Sequence, residues 1–117
     1  MTAQVRTKRI YEPPSTGDGL RVLVMRLWPR GIRKTAIDLW LKELGAEINN
    51  LRAWNAGQLD WAEMRKRYLA GLKEPAAAAA LAQLRALAKE RPLTLLCSCQ
   101  DEARCHRGIL KSLLIRR

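Results

Sequence analysis

The sequence predicts an α/β fold: a small, mostly parallel sheet of about three strands, covered by helices, in one Rossmann-like domain spanning residues 1–117. Three observations carry this. Val22 to Met25 is apolar on both alternating faces, and Leu93 to Leu96 is short, apolar and preceded by Pro92, as suits covered strands. Between them, apolar residues recur at helical spacing in segment after segment. A crossover that long lets the two strands run parallel, with the usual right-handed connection.

Residues 4–11 read as a first strand, whose direction stays open because the loop after it is short for a parallel crossover. Glu12 to Gly19 is a loop, marked by Pro13, Pro14, Ser15, Gly17 and Asp18. Arg21 to Leu27 is the second strand. Trp28-Pro29-Arg30-Gly31 ends it, since proline cannot continue a central ladder. Four helical segments follow. The first is expected from Thr35, with Asp38 three residues on, an apolar stripe of Ile37, Trp40, Leu41 and Leu44, and a stop at Gly45. A short second covers Glu47 to Trp54. The third has a cap at Asp60, a capping box completed by Glu63, a staple of Leu59 on Met64, and a stripe of Trp61, Met64, Tyr68 and Leu72. The fourth begins at Glu74-Pro75 and runs through the alanines on the period of Leu81, Leu84 and Leu87 until Pro92. After the strand 93–96, a last helix starts at an Asp101 cap or nearer Arg104 and buries Ile109, Leu110, Leu113 and Leu114.

Composition narrows the function classes. A hydrophobic content of 48% in 117 residues suits one globular core and excludes a disordered chain. Four Trp and two Tyr, with no Phe, make tryptophan the main aromatic packing residue. No apolar run approaches the ~20 residues of a membrane span, and the N-terminus has no signal-peptide core. A cytoplasmic location follows, in which cysteines are thiols; three of them cannot close into a disulfide framework. The oligomeric state leaves no mark in the sequence.

The net charge of +11 points to an anionic partner. Lys8, Arg9, Arg33, Lys34, Arg65, Lys66 and Arg67 supply a dispersed basic surface, the basis for nucleic-acid binding as an alternative. No nucleic-acid motif accompanies it, and no block of five like charges occurs, so solvated helix faces explain the same residues.

All three cysteines and the only histidine lie within ten residues: Cys97, Cys99, Cys105 and His106. They sit where a strand ends and a helix begins, beside free N–H groups and the positive end of the helix dipole, which favour anions and thiolates. Cys105, or Cys99, is the candidate nucleophile, with His106 and Arg107 beside it. Neighbours on a helix do not face each other, so sequence alone does not make His106 the base of Cys105. The Cys-x5-Arg phosphatase signature is absent. No cofactor is expected, with zinc on Cys97, Cys99, Cys105 and His106 as the alternative. Their C-x-C-x5-C-H spacing lacks the usual paired knuckles, and Cys97 alone reads as a small buried apolar residue. Arg26, Arg30 and Arg107 are the candidate anion-binding residues, since guanidinium matches phosphate and carboxylate bidentately. Trp28 either walls that pocket or belongs to the core.

These motifs resemble a known family. Lys8-Arg-Ile-Tyr-Glu-Pro-Pro14, Arg21-Val-Leu-Val24, Arg26-Leu-Trp-Pro-Arg-Gly31, Trp40-Leu-Lys-Glu-Leu44 and Arg65-Lys-Arg-Tyr68 are similar to the YeaO-like branch of the domain of unknown function 488 family. The Cys97-x7-Cys105-His106-Arg107 pattern is similar to other branches of it. The resemblance implies a small α/β fold and carries no activity with it. The YeaO-like pattern has an aspartate directly before Arg-Leu-Trp-Pro-Arg-Gly, where this chain has Met25, so no acid or metal role is expected there.

The sequence therefore predicts recognition of a small anionic or phosphorylated ligand at the C-terminal ends of the strands. Arg26, Arg30 and Arg107 would bind charge, and Cys105 and His106 would do any chemistry. A nucleic-acid-binding module is the second expectation and a structural zinc module the third.

Overall fold

A computed structural model of the protein describes residues 4–98 and 104–115. Within them, β1 (Val5–Arg9), β2 (Leu20–Leu23), β3 (Leu39–Trp40) and β4 (Leu93–Cys97) form one sheet in the order β1-β4-β2-β3, and every pairing is parallel. The helices are α1 (Ile48–Asn55), α2 (Trp61–Gly71), α3 (Pro75–Glu90) and α4 (His106–Ile115). The α/β class and the parallel sheet are as expected; the strand count is four where about three were foreseen. The proposed cap Asp101 lies outside the described residues. None of the described helices is long and apolar enough to cross a membrane.

Strand alternation divides the sheet. Val5, Val22, Val24, Leu93 and Leu95 belong to the main core with residues of α2, α3 and α4, among them Met64, Tyr68, Leu84 and Leu110. Leu23 and Leu96 turn the other way and pack with Ile10, Met25, Trp28, Ile32 and Ile37. Helices thus cover one face, while the connections after β1 and β2 close the other. Trp28 is part of that smaller cluster, its indole N–H donating to the Ile32 carbonyl at 2.8 Å and its ring edge-on to Trp40.

The first strand runs parallel to β4 even though residues 10–19 are shorter than the dozen or so usual for such a crossover. The connection crosses β4 at Thr94, whose hydroxyl donates to the Asp18 carbonyl at 2.7 Å. Gly19 has φ +62° there, and a Cβ on it would stand 2.2 Å from the Pro92 oxygen, so glycine is required. Asp18 is buried beneath this crossing. Lys8 (2.9 Å), Arg21 (2.5 Å), and the N–H and hydroxyl of Ser15 (3.0 and 2.9 Å) all donate to its carboxylate. Burial pushes the carboxyl up, but these donors outweigh it and hold it well below the usual carboxylate range.

The helix expected from Thr35 to Leu44 is not formed. Lys34–Ala36 and Lys42–Leu44 are single 3-10 turns, and Leu39–Trp40 between them is β3. Two patterns compete in this stretch: Ile37, Trp40, Leu41 and Leu44 fit a helix, but Ile37, Leu39 and Leu41 alternate as in a strand. Tertiary pairing decides. The Arg21 N–H donates to the Asp38 carboxylate at 2.8 Å, the Asp38 N–H to the Arg21 carbonyl at 2.9 Å, and the Leu41 N–H to the Leu23 carbonyl at 2.9 Å. The other helices form from their sequence signals. The Asp60 carboxylate accepts the Glu63 N–H at 2.8 Å, α3 starts on Pro75, and the Glu47 carboxylate caps α1 by accepting from Asn49 and Asn50 at 3.1 Å. Glu63 does not complete the expected box; its carboxylate accepts from Arg67 at 3.1 Å.

Candidate functional site

Cys97 ends β4 on the helix-covered face, two residues beyond Leu95. Cys105 directly precedes α4, and His106 opens it. Because α4 packs on β1 and β4, its first turn comes down on the end of β4 and brings these three side chains together. Cys105 Sγ lies 3.6 Å from Cys97 Sγ and 3.8 Å from His106 Nδ1, and Cys97 Sγ lies 4.0 Å from the same nitrogen. The concern that sequence neighbours cannot face each other does not apply, because Cys105 stands before the helix and not on it. Cys97 is buried, as expected of a strand-end apolar residue, and it also touches the other two groups. Cys99 lies outside the described residues.

The imidazole orientation follows from one contact. His106 Nε2 lies 2.5 Å from the Val24 carbonyl oxygen, just past the end of β2. A carbonyl only accepts, so Nε2 carries the hydrogen, and in the neutral ring Nδ1 presents its lone pair to both sulfurs. The tyrosine of α2 walls the other side: the Tyr68 ring sits 5.4 Å from the imidazole, and its hydroxyl donates to the Leu44 carbonyl at 2.7 Å. Burial pushes the Tyr68 phenol well above its ordinary pKa, Cys105 and Cys97 add to the rise, and Arg26 opposes it. Tyr68 is therefore a neutral wall at any physiological pH. Cys97 and Cys105 are each 2% exposed and His106 7%, so charge on any of them acts through a medium of low polarity.

Arg107, one residue further along α4, is 3% exposed and donates from Nη1 to the Lys8 carbonyl at 3.3 Å and the Cys97 carbonyl at 3.2 Å. Arg26 donates from Nε to the Gly45 carbonyl at 3.1 Å, and Arg30 has an exposed side chain, its carbonyl accepting from Tyr11 at 3.4 Å. The three arginines selected from sequence share no hydrogen-bond partner among the described residues. Arg9, one of the dispersed basic residues of the sequence, also stands at this end of the sheet: it is the parallel partner of Cys97 and makes a 3.5 Å contact from Nη2 to the Ser98 carbonyl. Alternation would have put Arg9 and Cys97 on one face, but only with the strand register in hand.

Cys97 Sγ, Cys105 Sγ and His106 Nδ1 all lie within 4.8 Å of one another, a set of soft donors able to hold a metal ion. A groove of about 670 Å³ runs along α2 and α4, lined by Trp61, Arg65, Gly108, Lys111 and Ser112 among others, and none of the three clustered side chains lines it.

A family model described as the active DUF488-N3 subclade matches residues 5–117. The uncharacterized protein YeaO of Escherichia coli is 39% identical over 108 residues, covering 91% of this chain and 92% of that protein. The uncharacterized protein Rv3073c of Mycobacterium tuberculosis is 38% identical over 114 residues, covering 95% and 93%, and Mb3100c of Mycobacterium bovis matches to the same extent. No solved structure matches.

Proposed function

The chain belongs to the active DUF488-N3 subclade, and on that premise we propose that it binds and turns over a small anionic, phosphorylated ligand at the C-terminal ends of its strands, with Cys105 as nucleophile. The observation that carries this reading is the contact of His106 Nε2 with the Val24 carbonyl, which aims Nδ1 at Cys105 Sγ. In this reading Nδ1 takes the Cys105 thiol proton. The imidazolium keeps its Nε2–H bond to Val24, and the thiolate lies at the positive end of the α4 dipole. Cys97 completes the polar enclosure, and Arg107 holds the ligand's charge. Arg26 and Arg30, which engage other neighbours, contribute to the outer field.

The test is alkylation of the intact protein over a pH series, with mass mapping of the labelled cysteine. Cys105 should react with an apparent pKa below the unperturbed value of about 8.5, and His106→Asn should raise it. Reaction of Cys105 at the ordinary thiol pKa in both proteins sinks the nucleophile.

A second reading competes for the same atoms. Tetrahedral zinc, with Zn–S of about 2.3 Å and Zn–N of about 2.0–2.1 Å, sets its ligand atoms roughly 3.5–3.8 Å apart. The sulfurs and Nδ1 here are separated by 3.6, 3.8 and 4.0 Å. A metal-bound imidazole also commonly donates its second N–H to a backbone carbonyl, as His106 does. Metal would occupy the lone pair that the first reading uses as a base, so the two exclude each other.

A further inference from the structure

We propose that Arg9, together with Arg107, is the clamp for the ligand's phosphate group; this rests on the phosphorylated-ligand reading above and names the residue that supplies its second charge. Two guanidinium groups lie at one end of the sheet. Arg107 is anchored on the carbonyls of Lys8 in β1 and Cys97 in β4, and Arg9, the residue after Lys8, reaches the carbonyl of Ser98, the residue after Cys97. Tyr11 adds a second hold on Arg9, whose Cζ lies 5.7 Å from the ring centre.

Neither cation has an acidic partner among the described residues, where the ion pairs are made by Lys8, Arg21 and Arg67. Each also keeps a donor in reserve. The Nε–H groups of Arg9 and Arg107 are buried and donate to no partner among the described residues. Buried donors on charged groups are seldom left this way unless something else satisfies them. Two positive charges at the same end of the sheet, each with an unused N–H, call for an anion carrying two charges and several acceptor oxygens. A phosphate monoester carries about −1.5 to −2 at neutral pH and offers three such oxygens, whereas a carboxylate supplies one charge. The planar guanidinium fork suits that geometry. Register places the clamp beside the chemistry, because Arg9 pairs with Cys97 and Arg107 follows His106 directly.

Calorimetric titration with inorganic phosphate at low ionic strength tests the clamp. The wild type should bind one phosphate saturably and acetate far more weakly. Arg9→Gln should weaken phosphate binding by roughly tenfold or more, the loss expected of a charge-assisted hydrogen bond. Arg85→Gln, which removes the same charge from the exposed side of α3, should leave it unchanged. Arg9→Lys, which keeps charge and stem but not the fork, should fall between wild type and Arg9→Gln. Phosphate binding that is absent from the wild type, unaltered in both Arg9 variants, or matched by acetate overturns the clamp. The thiol chemistry is judged separately: phosphate binding through Arg9 with an ordinary Cys105 pKa leaves the clamp standing and removes the nucleophile. A lowered Cys105 pKa with no Arg9-dependent phosphate binding does the reverse.

Discussion

His106 and Val24 are 82 residues apart in the chain and 2.5 Å apart in the fold, imidazole Nε2 to carbonyl oxygen. The contact ties the first turn of α4 to the end of β2, across β4, which lies between β2 and β1 in the sheet. It also selects the tautomer on which both readings of the cluster depend. Nitrogen-15 NMR should therefore find neutral His106 as the Nε2–H form. Its protonation should follow Cys105, since a neighbouring thiolate favours the imidazolium. An Nδ1–H spectrum would remove the base from Cys105 and the ligand from any metal.

Elemental analysis separates the two readings. Protein purified without chelator should hold no stoichiometric zinc if Cys105 is the nucleophile. If it holds one zinc per chain, the metal reading replaces the nucleophile, and cobalt substitution should then show thiolate charge-transfer absorption that Cys97→Ser diminishes. Cys99→Ser in the same experiment asks whether the cysteine outside the described residues supplies a fourth ligand.

The start of α2 gives a stability test. Asp60→Ala should lower stability by about 1 kcal/mol, as loss of an N-cap does, because Asp60 accepts the Glu63 N–H at 2.8 Å. Glu63→Ala removes only a half-exposed pair with Arg67 and should cost less than about 0.5 kcal/mol. Denaturant midpoints of the two variants that rank the other way would mean Glu63 is the capping residue.

What could be read from sequence was local. Asp60 with the stripe of Met64 and Tyr68, and Pro75 with the period of Leu81 and Leu84, set their helices through contacts a few residues apart, and those helices formed where expected. Cys97, Cys105 and His106 were legible for the same reason, since one strand–loop–helix unit carries them all. Features that needed a partner strand were hidden. The two-residue β3 is held by hydrogen bonds to β2, exchanged between Arg21 and Asp38 and made by Leu41 to Leu23, while the helical spacing of Trp40 and Leu44 points elsewhere. Arg9 became a neighbour of Cys97 only through register. Glu12 to Gly19 reads as an ordinary loop because nothing local reveals that Asp18 is buried under a crossover.

Asp18 makes the last prediction. Its carboxyl is held well below the usual range by Lys8, Ser15 and Arg21, against the upward push of burial. The unfolded chain titrates it near the ordinary value of about 3.9. A folded pKa below the unfolded one means that protons bind the unfolded state preferentially as pH falls. The stabilisation is thus fully present above about pH 4 to 5 and is lost progressively as pH drops through the unfolded value toward the folded one. Asp18→Asn, which leaves Arg21 buried without its carboxylate, should cost about 3–5 kcal/mol at pH 7. Because Asn does not titrate, the gap between the two proteins in urea midpoint should shrink steadily from pH 5 to pH 2. A gap that is constant over that range would show that Asp18 contributes through shape and neutral hydrogen bonds, and that its charge does not hold the crossover onto the sheet.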